Sequence, residues 1–157
     1  ADEIDICLNR ALFLFGNQTK AAEEISDLKD LIVCRRREVV LKVILETGEL
    51  QTLSNVWRAS LLALKSGADF IKTSTGKISC GADVYSASVM LLALREHYRK
   101  SGIIKGLKVA GGIREPLEAV KYKRLFEYFI SDNIKLGNNF RIGCSRLFDA
   151  LKSEIQK

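Results

Sequence analysis

Two lysines stand in short strand-like segments that each end in a glycine turn. One is Lys72, in Asp69-Phe70-Ile71-Lys72-Thr73-Ser74-Thr75-Gly76-Lys77; the other is Lys108, in Gly106-Leu107-Lys108-Val109-Ala110-Gly111-Gly112-Ile113-Arg114. An ammonium group inside an apolar strand is costly to desolvate unless it is paired or its amine is used. Two such amines on adjacent strands also repel, by about 4 kcal/mol at about 4 Å with an effective dielectric constant near 20. That repulsion favours one uncharged amine, the form that attacks a carbonyl to make a Schiff base. The other stays charged and can shuttle a proton or stabilise developing negative charge. Asp5, in Ile4-Asp5-Ile6-Cys7-Leu8, can hold the charged amine or exchange protons with it. Lys42, in Leu41-Lys42-Val43-Ile44-Leu45-Glu46, is a third candidate inward amine, expected to be neutralised by Glu46 and so to have a supporting role.

The glycine turns point to an anion. Gly76-Lys77 and Gly111-Gly112 let backbone N–H groups approach a ligand closely, and the helix N-termini that follow favour negative charge. Phosphate is the natural occupant. The segment is not a P-loop, because Ile78 follows Lys77 where Ser or Thr is needed and Ile71 occupies the place of the first glycine. Ser145, opening the last helix after Gly143, either adds a hydroxyl to the anion site or serves as a helix cap.

The elements that must position these residues alternate along the chain. Five short apolar runs, at Ile4–Leu8, Val39–Leu45, the Lys72 and Lys108 segments and Phe140–Cys144, are separated by stretches of helical period. Helices are expected over about 18–33, 52–66, 83–101, 116–130 and 145–156, punctuated by Gly67, Gly102, Asp83 as a cap and Pro116 in a first turn. This is the pattern of parallel βα units with right-handed crossovers. An open doubly wound sheet accommodates five strands, whereas a closed (β/α)₈ barrel needs eight. The opening Ala-Asp-Glu reads like a helix-to-strand junction, so the expectation is the C-terminal part of a longer TIM barrel, residues 1–157 forming one partial domain. With Lys72 inward, strand alternation brings Phe70 and Ser74 to the same side and sends Ile71 and Thr73 to the helices. With Lys108 inward, Gly106, Ala110 and Gly112 follow. Asp5, Lys72 and Lys108 are all expected towards the C-terminal ends of their strands, the barrel face that carries active sites.

Composition narrows the function. The chain has 157 residues, 47% hydrophobic and 28% charged, which is ordinary for one globular domain. No apolar run is long enough to span a membrane, and the N-terminus does not read as a signal peptide. Cys7, Cys34, Cys80 and Cys144 are scattered, which suggests reduced thiols and a cytoplasmic setting. The net charge of +6 suits a small anionic substrate, and the single dense basic run, Arg35-Arg36-Arg37, lacks interleaved aromatics and reads as a solvated loop after a helix. His97 is the only histidine, so a histidine-activated nucleophile or a histidine-rich metal site is not expected.

Phe70–Lys77 (FIKTSTGK) resembles the signature of the deoxyribose-phosphate aldolases, Schiff-base enzymes with a (β/α)₈ fold. The likeness continues through Ala1–Leu12, Leu41–Leu50, Gly106–Arg114 (GLKVAGGIR) and Phe140–Leu147, similar to the fourth, fifth, seventh and eighth strand segments of that family. It departs at Val109, Cys144 and Arg146. The resemblance implies Lys72 as the Schiff-base lysine, Lys108 as the second active-site lysine and Asp5 as the aspartate of the proton relay. It places phosphate on Gly76, Lys77, Gly111, Gly112 and Ser145, with Thr75 also contacting substrate. The implied reaction is reversible cleavage of 2-deoxy-D-ribose 5-phosphate to acetaldehyde and D-glyceraldehyde 3-phosphate, with no metal or organic cofactor. The implied partner is a small phosphorylated sugar, not nucleic acid or membrane, in a chain able to form a homo-oligomer. The rival expectation is a non-catalytic phosphosugar-binding or interaction fragment, because an open sheet leaves edges unpaired.

Overall fold

A computed structural model describes residues 1–35, 38–130 and 136–155. Five strands, β1 (Glu3–Cys7), β2 (Val40–Ile44), β3 (Phe70–Lys72), β4 (Gly106–Ala110) and β5 (Phe140–Gly143), pair in parallel in chain order. The helices between them are α1 (Arg10–Leu14), α2 (Gln18–Arg35), α3 (Leu53–Lys65), α4 (Val84–Ser101), α5 (Pro116–Phe129) and α6 (Leu136–Asn139), and α7 (Leu147–Ile155) follows β5. Arg35 ends α2; Arg36 and Arg37 of the basic run lie outside the described residues, as does residue 156 of the last expected helix.

Strand order decides between the two architectures left open by counting. A doubly wound sheet reverses its order part-way, which sends helices to both faces. Here the order never reverses, so right-handed crossovers put every helix on one face and leave the other as a barrel interior. The sheet is also strongly curled. A flat five-stranded sheet would hold β1 and β5 about 19 Å apart, farther than two side chains can bridge. Yet Arg141 of β5 lies 3.4 Å from Glu3 of β1. This is the geometry of five βα units of a (β/α)₈ barrel.

The period-2 alternation sorts each strand. Leu41, Val43, Leu45, Ile71, Leu107 and Val109 face the helices and are buried, against Ile25 of α2, Val56 and Ala63 of α3, Met90 and Leu91 of α4, and Phe126 of α5. Burying an aliphatic side chain of this size contributes about 1.5–3 kcal/mol, so this layer carries most of the fold's stability. The inner face carries Glu3, Asp5, Lys42, Phe70, Lys72, Lys108 and Arg141, through the register pairs Asp5↔Lys42, Lys42↔Phe70, Lys72↔Lys108 and Lys108↔Arg141. Gly106 belongs to this layer because a side chain there is impossible: a Cβ would fall 2.2 Å from the Phe70 ring.

Below the site, Asp69 fixes the start of β3. Its carboxylate accepts hydrogen bonds from Lys29 of α2 at 2.5 Å, the Leu41 amide at 2.9 Å and Lys105 at 3.0 Å. Burial works against its ionisation, but these donors prevail and hold it below the usual carboxylate range. The caps behave as the sequence indicates: Asp83 accepts from the Ser86 amide, Gly102 closes α4 at φ 69°, and Pro116 opens α5. Among the described residues no helix is long and apolar enough to cross a membrane.

Candidate active site

The Asp5 carboxylate is the hub of the inner face. Its Oδ2 accepts from Lys108 Nζ at 2.7 Å and from Lys72 Nζ at 2.8 Å, while Oδ1 accepts from Lys42 Nζ at 2.9 Å. Because Lys72 and Lys108 share one oxygen, their nitrogens are no more than 5.5 Å apart, the two contact lengths laid end to end. The two amines therefore lie on the same side of the sheet, on adjacent strands in direct register. The carboxylate between them offsets the repulsion that strand adjacency imposes.

Two features differ from the sequence expectation. Only Lys72 is the last residue of its strand; Asp5 and Lys108 sit in the middle of β1 and β4, and curvature rather than strand position brings them to Lys72. Lys42 is not neutralised by Glu46. It pairs with Asp5 and, at 2.8 Å, with Glu3, because β2 ends at Ile44 and the chain then turns away through a left-handed Glu46 (φ 55°).

Electrostatics follow from this packing. Burial opposes ionisation of Asp5, but hydrogen bonds from Lys108, Lys72 and Lys42 outweigh it and hold the carboxyl far below the ordinary range. Glu3 is lowered chiefly by its hydrogen bond from Lys42, with help from Arg141. Lys42, Lys72, Lys108 and Arg141 outnumber Glu3 and Asp5 on this face, so the interior attracts an anion.

Above the amines lies an open pocket of about 350 Å³, lined by Lys72, Lys108, Thr75, Gly76, Lys77, Ala110, Gly111, Gly143, Cys144 and Ser145. Of the residues singled out from sequence for this site, Asp5 and Gly112 do not line it; Asp5 reaches it through the amines it holds. Ser145 stands two residues ahead of α7 and faces the pocket, so it is not the residue immediately before the helix. The Gly111 turn packs against the loop that follows the Gly76 turn: Gly111 has φ 95°, and a Cβ on it would fall 2.8 Å from the Gly81 Cα. The Gly76 amide donates to Ser74 Oγ at 3.0 Å and the Lys77 amide to Thr75 Oγ1 at 3.1 Å, so both donors expected for an anion are turned inwards. From this turn the side chain of Lys77 is the group that supplies positive charge.

The sequence reading paired Glu46 with Lys42 and missed its place at the β3 turn. This residue, 2% exposed, accepts from the Thr75 amide at 3.2 Å and from its hydroxyl at 2.6 Å, tying the β3 turn to the end of β2. Burial opposes its charge; hydrogen bonds from Ser74 and Thr75, with the nearby Arg10, override that and lower it. A glutamate inside Val-Ile-Leu-Glu-Thr was the available signal. Thr75 is thus engaged with Glu46 at the rim of the pocket. His97 lies on α4 and does not line the pocket. Among the described residues no cluster of His, Cys, Asp or Glu is arranged to hold a metal ion.

A family model described as DeoC/LacD family aldolase matches residues 1–145. The chain belongs to the DeoC/LacD aldolase family. It is 41% identical to the deoxyribose-phosphate aldolase of Mus musculus over 99% of this chain and 48% of that protein. To the deoxyribose-phosphate aldolase of Agrobacterium fabrum it is 40% identical, over 95% of this chain and 55% of the relative. The chain therefore spans about half the length of the curated relatives it matches. A crystal structure of a putative deoxyribose-phosphate aldolase from Toxoplasma gondii superposes with a TM-score of 0.78 at 27% identity, covering 99% of this chain and 59% of that one. The deoxyribose phosphate aldolase of Aeropyrum pernix, a tetramer, gives 0.71 at 25% identity, over 99% and 56%.

Proposed function

We propose that the chain carries the Schiff-base machinery of an aldolase acting on 2-deoxy-D-ribose 5-phosphate. The observation that supports this most is the sharing of one Asp5 oxygen by the amines of Lys72 and Lys108 at the floor of a basic pocket. In this reading neutral Lys72 attacks the C1 aldehyde of the open-chain sugar, and loss of water leaves an iminium. Lys108 and Asp5 move the protons: one to the departing hydroxyl of the carbinolamine, one from the C3 hydroxyl as the C2–C3 bond breaks. The bonding pair of C2–C3 passes into the iminium to give an enamine, and D-glyceraldehyde 3-phosphate leaves. Protonation of the enamine and hydrolysis return acetaldehyde and free Lys72. The phosphate sits against Lys77, Gly76, Gly111 and Ser145 of the pocket lining, with Thr75 fixing the turn that presents Lys77 and Gly112 left outside that lining. We place the reaction in the cytoplasm and expect a homo-oligomer, as in the tetrameric relative.

A second reading has its own support, since β1 and β5 are sheet edges without a further strand among the described residues. On that reading the chain binds the phosphosugar and does not turn it over. Calorimetry with 2-deoxyribose 5-phosphate, run beside a coupled assay for glyceraldehyde 3-phosphate, separates them. Heat with product supports the aldolase; heat without product supports the binding module; neither removes both.

A further inference from the structure

The inner face carries more ionic structure than a two-lysine site needs. From β5 to β1 the charges alternate in an unbroken chain: the Arg141 guanidinium lies 3.4 Å from Glu3 Oε1, and Glu3 Oε2 lies 2.8 Å from Lys42 Nζ. Lys42 Nζ then lies 2.9 Å from Asp5 Oδ1, and Oδ2 takes both Lys72 and Lys108. The chain is seated on an aromatic floor, with Arg141 stacked 5.2 Å from the centre of the Phe70 ring. Lys42 itself is 2% exposed and does not line the pocket, so its amine is not placed to meet a substrate.

This arrangement sets which oxygen of Asp5 each amine can use. Asp5 and Lys42 are register partners, whereas Lys72 pairs with Ile44, two residues further along β2. Lys42 therefore meets Asp5 from its own layer, and Lys72 and Lys108 from the layer above. Without an anion beneath it, the Lys42 ammonium would have the whole Asp5 carboxylate as its nearest counter-charge and would compete for Oδ2.

Resting on the aldolase reading above, we propose that Glu3 is a positioning residue: by anchoring Lys42 from below, it confines that amine to Oδ1 and reserves Oδ2 of Asp5 for Lys72 and Lys108. Among the described residues Glu3 forms ion pairs with Lys42 and Arg141, neither of which lines the pocket. It acts through Lys42, and Arg141 holds its second oxygen. The charged groups facing the Asp5 carboxylate are Lys42 from β2, Lys72 from β3 and Lys108 from β4, with Glu3 and Arg141 of β1 and β5 completing the set.

The test reads the amines directly rather than through turnover. The chain, its Glu3→Gln variant, Lys42→Met and the double variant are treated with limiting formaldehyde and cyanoborohydride, and methylation at Lys72 and Lys108 is quantified by peptide mass spectrometry. Glu3→Gln should shift the Lys72-to-Lys108 labelling ratio by about threefold or more, while in the Lys42→Met background the same substitution should add nothing. An unchanged ratio in Glu3→Gln overturns the proposal, and so does an equal shift when Lys42 is absent. Should Glu3→Gln not fold, Glu3→Asp keeps the charge, withdraws it by one methylene and is judged on the same ratio. If formaldehyde methylates both amines but acetaldehyde and borohydride leave no adduct on Lys72 of the unmodified chain, the aldolase reading fails while the methylation ratio still decides the role of Glu3.

Discussion

Replacing Asp5 with Asn removes the one carboxylate that three amines share. In the native chain its oxygens accept at 2.7, 2.8 and 2.9 Å from Lys108, Lys72 and Lys42. Hydrogen bonds to charged groups contribute about 1.5–3 kcal/mol each, but the Asp5 side chain is 25% exposed, so solvent screening puts these at the low end. The asparagine oxygen keeps one of the three at neutral strength. Lys72 and Lys108 then face each other without an anion; at 5.5 Å, the largest separation their shared oxygen permits, and an effective dielectric constant of 20, the repulsion is about 3 kcal/mol. Loss of a proton from one amine relieves part of this, and the variant no longer desolvates a carboxylate. The net expectation is a loss of about 2–3 kcal/mol at pH 7. Urea unfolding followed by circular dichroism should show it as a midpoint about 1–2 M lower with the slope unchanged. In the aldolase reading kcat falls by about 10²–10⁴, the contribution of a positioned proton-transfer group, while aldehyde still reaches Lys72. A variant within about 0.5 kcal/mol of the native chain, with unaltered turnover, would refute the reasoning.

Gly111→Ala puts a Cβ 2.8 Å from the Gly81 Cα at a residue with φ 95°, so it should cost about 1–3 kcal/mol in denaturant unfolding and weaken phosphosugar binding in calorimetry. Glu46→Gln keeps the shape but weakens the hold on the Thr75 amide and hydroxyl; KM for the phosphorylated sugar should rise about tenfold with kcat changed less, and a kcat-only effect would contradict this. Asp5, Glu46 and Asp69 all have carboxyls lowered in the folded chain, so each contributes stability that is present above the ordinary carboxylate value and lost as pH falls through the folded value. The urea midpoint should therefore be nearly level from about pH 5 to 7 and drop steadily below about pH 4; a midpoint that climbs on acidification would reverse the sign.

Much of this site can be seen in the amino-acid order because a strand has period two. Once Ile71 and Leu107 are assigned to the helix layer, Lys72 and Lys108 must share the other face, and the register pair Lys72↔Lys108 follows from adjacency. Asp83, Gly102 and Pro116 mark helix ends through side-chain chemistry that is local in sequence. The three-way sharing of Asp5 is different, because Asp5 and Lys108 are separated by 103 positions and meet only when the sheet curls. Curvature is a property of the whole sheet, and no single segment encodes it. Lys42 illustrates the same limit: Glu46 is near it in sequence, but the left-handed turn after Ile44 carries that carboxylate to Thr75 and leaves Lys42 to Glu3 and Asp5. The short helices α1 and α6 went unseen because one turn of helix is too brief to show a 3.6-residue period.

The central claim is that the Lys72 amine bonds covalently to an aldehyde. Treating the chain with acetaldehyde and borohydride, then mapping the adduct by tandem mass spectrometry, tests it most directly. The account predicts one reduced ethyl adduct per chain, on Lys72, abolished in Lys72→Met and retained in Lys108→Met. An adduct confined to Lys108 or Lys42, or spread evenly over surface lysines, would contradict it.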